Sequence, residues 1–149
     1  MRGRRALLRE ESGRRGEQSS GFFHSGGHVV DSEVKNNAEV SPRKTPLGSS
    51  YEALVTNATV DKNGTLSVLV VNRSPDEDVK SRVDLGGFRH AGTVDVSVVA
   101  GRSYDDFNNA EHPDAVTIKK SHATAEDDSL NWTFPAHSVT LLRFPPQGK

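Results

Sequence analysis

The sequence predicts an all-β protein, an antiparallel β-sandwich that follows a disordered N-terminal tail. Beyond residue 50, apolar and polar residues alternate over short stretches, and turn residues interrupt them every 8–15 positions. None of these stretches has helical periodicity. With 149 residues, the chain has room for one domain and an appendage. We therefore expect seven or so short strands in one folded unit at residues 40–145.

The alternation locates the strands in order. The first is predicted at 51–60, and the turn after it, Asp61-Lys62-Asn63-Gly64, indicates a hairpin because Asn-Gly tolerates positive φ. The second strand, at 65–72, is apolar on both faces, which is typical of a central strand. Further strands are expected at 79–85, at 94–100, around Val116 and Ile118, at 130–134 and at 139–144.

The aromatic residues favour a structural role. Leu130, Trp132 and Phe134 share one face of a predicted strand, so we expect Trp132, the only tryptophan, to lie in the core. Tyr104 and Phe107 are the only aromatics in a predicted surface loop. Two rings offer a sugar less aromatic stacking surface than the binding site of a lectin ordinarily does.

Residues 1–39 have the composition of a disordered, basic and Gly/Ser-rich tail. The first eighteen residues hold six arginines against three glutamates, and the segment is poor in apolar side chains. A basic arm for nucleic acid is an alternative, but no stacking aromatics accompany it. The net charge of −1 gives no overall attraction to nucleic acid either.

Several classes of function are disfavoured. The chain has no cysteine, which excludes disulfides, zinc-thiolate sites and thiol catalysis. No apolar run approaches the 18 or so residues of a membrane span, so we expect no membrane-spanning helix. Acidic residues cluster in four predicted turns, where carboxylates are ordinarily solvated, and no motif there indicates a catalytic pair. His137 and Ser138 are neighbours on a strand and point to opposite faces, so they cannot serve as base and nucleophile. We expect no catalytic residue, no metal and no cofactor.

Four Asn-x-Ser/Thr sequons suggest export from the cell. They begin at Asn57, Asn63, Asn72 and Asn131, more than chance predicts for this composition. Because glycan acceptors belong on exported proteins, we expect an extracellular glycoprotein, although no signal peptide is visible in this chain.

Three segments, in order, resemble the C-terminal domain of α-L-arabinofuranosidases of glycoside hydrolase family 51. They are a strand that ends in Val-Asn-Arg-Ser, a loop of the form Asn-x-x-Glu-x-Pro-x-x-Val, and a closing Pro-x-His-Ser-Val-Thr strand. Val40-Ser41-Pro42 is similar to the entry into that domain. The residues that carry the resemblance are Asn72, Arg73, Asn108, Glu111, Pro113, Val116, Pro135 and Ser138.

The resemblance implies an accessory sandwich of jelly-roll type beside a catalytic (β/α)₈ barrel. Family members release terminal, non-reducing α-L-arabinofuranosyl residues from arabinoxylan and arabinan with retention, using two glutamates of the barrel. This chain holds no barrel, so alone it is expected to be inactive and to meet plant cell-wall polysaccharide only indirectly. Its partner would be the barrel, and an orphaned apolar interface would cause self-association. The alternatives are a stand-alone carbohydrate-binding module and a structural sandwich.

Overall fold

Eleven β-strands form in the residues that the structure describes. The structure, a computed structural model, describes residues 4–9, 27–40 and 50–148, the first of these ranges as backbone. No helix occurs in these ranges, and none there could cross a membrane. The strands are β1 (Arg4–Arg9), β2 (His28–Lys35), β3 (Glu39–Val40), β4 (Tyr51–Glu52), β5 (Leu54–Val60), β6 (Leu66–Asn72), β7 (Val79–Asp84), β8 (Thr93–Ala100), β9 (Thr117–Thr124), β10 (Ser129–Phe134) and β11 (Ser138–Phe144).

Nine strands form a folded sheet in the order β10-β7-β1-β2-β5-β6-β11-β8-β9, and β3 pairs separately with β4. Every pair is antiparallel except β1–β7, which is parallel. Strand β2 belongs to both layers, since its residues 28–30 pair with β5 and its residues 31–35 pair with β1. The predicted all-β sandwich is confirmed.

One apolar core lies between the two layers. The layer β10-β7-β1 contributes inward side chains such as Val79, Val83 and Phe134. The layer β5-β6-β11-β8-β9 contributes a larger set from alternate positions of its strands. Its buried members are Leu54, Ala58, Leu66, Val68, Val70, Val94, Val96, Leu142 and Phe144. The period-2 pattern of the sequence therefore places the core correctly.

The hairpin after β5 has the predicted turn. The Asp61 carbonyl accepts from the Gly64 N–H at 2.9 Å, and the Asp61 side chain accepts from the N–H groups of Asn63 and Thr65. Gly64 adopts φ of +82°, which a residue with a side chain rarely adopts. The turn sets the register of β5 on β6, and β6 lies between β5 and β11 as its two apolar faces predict.

Strand β2 differs from the sequence analysis, which placed residues 28–35 in the tail. Val30 and Val34 of this strand pack against the core. Few apolar side chains mark the segment, and it is the pairing with β5 and β1 that makes it a strand. The folded unit therefore begins before residue 40. Strand β1 (Arg4–Arg9) also lies within the predicted disordered tail, and it pairs with β2 and β7. The expectation for residues 1–3 and 10–26 of the tail lies outside the described residues.

Two smaller differences concern strand β9 and Asp84. Strand β9 is longer than predicted, because its polar middle pairs with β8 along its full length at the sheet edge. Asp84 alternates with Val83 and Leu85, so the period-2 pattern of β7 predicts a solvent-facing side chain, but Asp84 is buried. Its carboxylate accepts from the Gly86 N–H at 3.1 Å, which satisfies this polar group at the end of the strand.

Candidate functional site

The corner between β10 and β11, residues 135–137, is organised by a buried asparagine. The Asn72 side chain is 1% exposed, and its Nδ2 lies 2.9–3.0 Å from the carbonyl oxygens of Glu77, Phe134 and Pro135. Its Oδ1 accepts from the Ser74 N–H at 3.0 Å. One side chain thus connects the end of β6, the turn after it and the corner.

His137 and Ser138 complete this corner. The Ser138 hydroxyl is buried and donates to the Pro135 carbonyl at 2.6 Å. His137 has φ of +41°, and its Nδ1 and Nε2 lie 2.8 and 3.4 Å from the carbonyl oxygens of Pro75 and Gly101. Both side chains therefore contact backbone carbonyls and hold the corner against the neighbouring segments.

Arg73 holds strand β4 and the residue after it. Its guanidinium donates from Nε to the Glu52 carbonyl at 2.9 Å and lies 5.0 Å from the centre of the Tyr51 ring. A second guanidinium nitrogen also donates to Glu52. The backbone N–H of Arg73 donates to the Ala53 carbonyl. Sequence reasoning identified Arg73 through the motif, but its partners at positions 51–53 carry no sequence signal that singles them out.

Two asparagine side chains close the loop 101–116. Asn108 Nδ2 donates to the Val116 carbonyl at 2.9 Å, and its Oδ1 accepts from the Val116 N–H at 2.7 Å. This pair reproduces a strand-type backbone pairing with a side chain. Asn109 Oδ1 accepts from the N–H groups of Glu111 and His112. Glu111 and Pro113, the other motif residues of this loop, are exposed.

Asp106 organises the start of the same loop, and the sequence analysis did not single it out. Its carboxylate accepts from the Arg102 N–H at 2.6 Å and from the Ser103 N–H at 3.2 Å. The hydrogen bond from Arg102 is the largest cause that holds the pKa of Asp106 below its ordinary value of 3.8, followed by that from Ser103. The charges of Arg102 and His137 act in the same direction. In the sequence, Asp106 follows Gly101-Arg102 by four residues, and this spacing was the only available sign that its carboxylate could close a turn.

The loop 101–116 borders an open groove of about 420 Å³. Arg102, Asp114 and Lys119 give it charged walls, His112 adds an imidazole and Thr117 adds a hydroxyl. Tyr104 and Phe107, on the same loop, are both largely exposed. In residues 27–40 and 50–148, no three His, Asp or Glu side chains come together as a metal site.

Trp132 packs against the core, as predicted, but is only half-buried, because β10 is the edge strand of its layer. Its neighbours on the same face, Leu130 and Phe134, are fully buried. The Trp132 Nε1 atom is itself buried, and the described part of the chain offers it no hydrogen-bond partner.

The four sequons occupy different environments. Asn63 lies exposed in the β5–β6 turn, and Asn57 and Asn131 are exposed on strands. In Asn72, the amide nitrogen to which a glycan would be joined points at three carbonyl oxygens in the interior. The folded chain has no room for a glycan there, so we remove Asn72 from the expected acceptors.

The three motif segments meet at one end of the sandwich. Pro135 lies in the corner, and Asn72 and Ser138 bond its carbonyl from the ends of β6 and β11. The Gly101 carbonyl beside His137 begins the loop that carries Asn108, Glu111 and Pro113. Each polar motif side chain that forms a hydrogen bond in the described residues forms it with the backbone of the same chain. The motif side chains therefore fix the backbone conformation at this end of the sandwich.

Comparison with known proteins gives a consistent result. Residues 23–138 match the family described as the α-L-arabinofuranosidase C-terminal domain. Two relatives are the extracellular exo-α-L-arabinofuranosidase of Streptomyces chartreusis, 40% identical over 82 residues, and the probable α-L-arabinofuranosidase C of Aspergillus niger, 34% identical over 107 residues. These matches cover 55% and 71% of this chain but only 10% and 19% of those proteins.

A solved structure shows the same fold. The family 51 arabinofuranosidase of Xanthomonas axonopodis pv. citri superimposes with a TM-score of 0.69 at 17% identity. The match covers 79% of this chain and 23% of that protein. The chain therefore spans between a tenth and a quarter of the length of these proteins.

Proposed function

The chain belongs to the α-L-arabinofuranosidase C-terminal domain family, and on that premise we propose that it is the accessory β-sandwich of an α-L-arabinofuranosidase. In this role it supports a catalytic (β/α)₈ barrel and supplies no catalytic residue. The whole enzyme would release terminal α-L-arabinofuranosyl groups from arabinoxylan or arabinan, in the degradation of hemicellulose and the metabolism of L-arabinose. The sandwich would meet the polysaccharide only through the barrel.

The observation that carries this proposal is the internal use of the motif's polar groups. Asn72, Asn108 and Ser138 bond backbone carbonyls or N–H groups of their own domain. A motif that bound substrate would instead leave such groups directed outward. The motif thus preserves the shape of the corner and the loop.

The acidic runs support the same view. A retaining glycosidase needs two carboxyl groups about 5–5.5 Å apart, one of them free to protonate the leaving oxygen. Here Asp78 accepts from the Ala136 N–H at 2.9 Å, and Asp106 accepts from two N–H groups. These carboxylates stabilise turns.

An activity assay tests the proposal. The purified chain, incubated with an aryl α-L-arabinofuranoside, should release no more aryl alcohol than a buffer blank. Glu111→Gln and Asp114→Asn serve as matched variants, because both acids are exposed on the loop 101–116. Turnover by the wild-type chain that either variant abolishes would contradict the proposal, since it would place a working carboxylate in this loop.

Export and glycosylation belong to the same proposal. We expect glycans at Asn57, Asn63 and Asn131, whose side chains are exposed, and an extracellular location. Secretion of the chain from a eukaryotic host, followed by enzymatic release of glycans in heavy-oxygen water, would mark each occupied asparagine by mass. A mass shift at Asn72 would contradict the buried position of its side-chain nitrogen in the folded chain.

Tyr104 and Phe107 favour a second candidate function, carbohydrate binding by the sandwich itself. Both rings are exposed on the loop that borders the groove of about 420 Å³. Affinity electrophoresis in gels that contain arabinoxylan would detect such binding as slower migration. Retardation that is lost in Tyr104→Ala and Phe107→Ala would favour this function, and unchanged migration of the wild-type chain would exclude it.

A further inference from the structure

A continuous row of apolar side chains crosses the outer face of the five-stranded layer. In register, Val55 pairs with Val71, Val71 with Val139, Val139 with Val99, and Val99 with Ile118. Side chains at paired positions share one face and lie about 5 Å apart. These five residues, called the apolar stripe below, therefore span all five strands from β5 to β9.

The apolar stripe faces away from the core. Val139 lies between the buried Ser138 and Thr140, and it is 37% exposed. At the two ends of the stripe, Val55 is 43% and Ile118 is 63% exposed. Val71 and Val99, which lie between them, are half-buried. Apolar residues exposed singly need no explanation, but five apolar residues in register form a continuous patch.

The neighbouring rows show where the patch ends. The next row adds Leu69 and Leu141 at its centre, with Asn57, Ser97 and Lys120 around them. The row beyond is polar apart from Val29 at its end, and it holds an Asp95–His122 pair at 2.9 Å. The apolar character is thus concentrated at the end of the sheet that carries the corner and the loop 101–116.

Resting on the proposed function, we infer that the apolar stripe is the surface on which the catalytic domain of the enzyme packs. The relatives are several times longer than this chain and hold the matching domain in one polypeptide with the rest. A partner in the same polypeptide has an effective concentration in the millimolar range, so a small contact is enough to hold it.

A second copy of this chain is a poorer occupant. Four strand spacings of about 4.8 Å give a stripe roughly 20 Å long, and with Leu69 and Leu141 an apolar area on the order of 300 Å². A stable complex of separate chains buries about 800 Å² on each partner. At the sheet edge, Lys119 and Lys120 of β9 oppose pairing with another copy's edge strand. The self-association expected from the sequence is therefore weak.

The experiment joins the full chain to the catalytic part of the Aspergillus niger relative, in place of the segment that it matches. Differential scanning calorimetry then reports whether the two domains unfold together. We expect one transition for the wild-type fusion. Val139→Lys, in the middle of the stripe, should separate it into two transitions, with the catalytic domain melting several degrees lower.

Val29→Lys is the matched control. Val29 pairs with Thr59 on the same outer face but lies in the polar row, and it is 73% exposed. Its fusion should keep the single transition. In the isolated chain, both substitutions should leave the melting temperature unchanged within about a degree, because each side chain points away from the core. A loss of several degrees for Val139→Lys in the isolated chain would show a role in folding and overturn the inference.

The other outcomes are separable. A single transition that persists in Val139→Lys would overturn the assignment of this face and leave the proposed function intact. Two transitions in the wild-type fusion would contradict the supporting role itself, and the inference with it. A dimer of the isolated chain at micromolar concentration that Val139→Lys dissociates would assign the stripe to a second copy.

Discussion

The side-chain nitrogen of Asn72 lies 3.0 Å from the carbonyl oxygen of Phe134, across 62 positions of sequence. Asn72 ends β6 in one layer, and Phe134 ends β10 in the other. The contact therefore connects the two layers at the corner, in a buried place where neither group can exchange its partner for water.

Asn72→Ala should lower the free energy of unfolding by about 2–4 kcal/mol, because it leaves interior carbonyl and N–H groups without partners. Urea denaturation followed by tryptophan fluorescence measures this change. Asn63→Ala, at an exposed turn position, should change stability by less than about 0.5 kcal/mol. A loss below about 1 kcal/mol for Asn72→Ala would mean that water replaces the amide without cost.

Trp132→Ala should lower stability by about 3 kcal/mol, since the indole packs against the core from an edge strand. Trp132→Phe should cost less than about 1 kcal/mol, because the indole N–H is buried without a partner and its removal relieves that penalty. Thermal unfolding of both variants tests this order. A folded Trp132→Ala protein that had lost only polysaccharide binding would instead make this ring a sugar platform.

Shortening the chain to begin at residue 40 should lower the melting temperature by about 10 °C or more. The composition of residues 1–39 predicts a disordered tail, and removal of such a tail would leave the melting temperature unchanged. In the structure, that removal takes Val30 and Val34 from the core and leaves β5 paired only with β6. In a domain of this size, each kcal/mol corresponds to about 2–8 °C. A chain that begins at residue 27 keeps β2 and is the control, and equal melting of the two would make β2 dispensable.

Asp106→Asn should weaken the loop 101–116 at neutral pH and remove part of its acid sensitivity. The folded-state pKa of Asp106 is depressed, so its stabilisation is complete above the ordinary value of 3.8 and is lost as the pH falls through the lower folded value. Hydrogen exchange of the Arg102 and Ser103 amides, measured between pH 7 and pH 3, reports this directly. The wild-type amides should lose protection toward pH 3.

The Asp106→Asn amides should exchange faster at pH 7 and show little further change toward pH 3. Asp105→Asn is the control, because the Asp105 side chain is exposed one position away and should leave both amides protected. Equal exchange in all three proteins would mean that the loop keeps its shape without the carboxylate.

The sequence predicted those parts of the fold that alternation and turn chemistry encode locally. Strands β5 to β8, β10 and β11, and the Asn63-Gly64 turn, follow from patterns that each segment carries in itself. Strand β2 could not be found in that way, because its pairing with β5 and β1 is what makes it a strand. The contacts of Asn72 with Phe134 and of His137 with Gly101 are likewise long-range, since no local rule brings these positions together.

The parallel pairing of β1 with β7 has a consequence for the time course of synthesis. Arg4 pairs with Ser81, so the first strand leaves the ribosome long before its partner exists. At about 5–20 residues per second, the delay is roughly 4–15 s. The hairpin of β5 and β6 closes earlier, because its contacts are local. Nascent β1 can pair with β2 but must wait for β7 with its other edge open, so the layer that begins with β1 becomes continuous only after about half of the chain has been made.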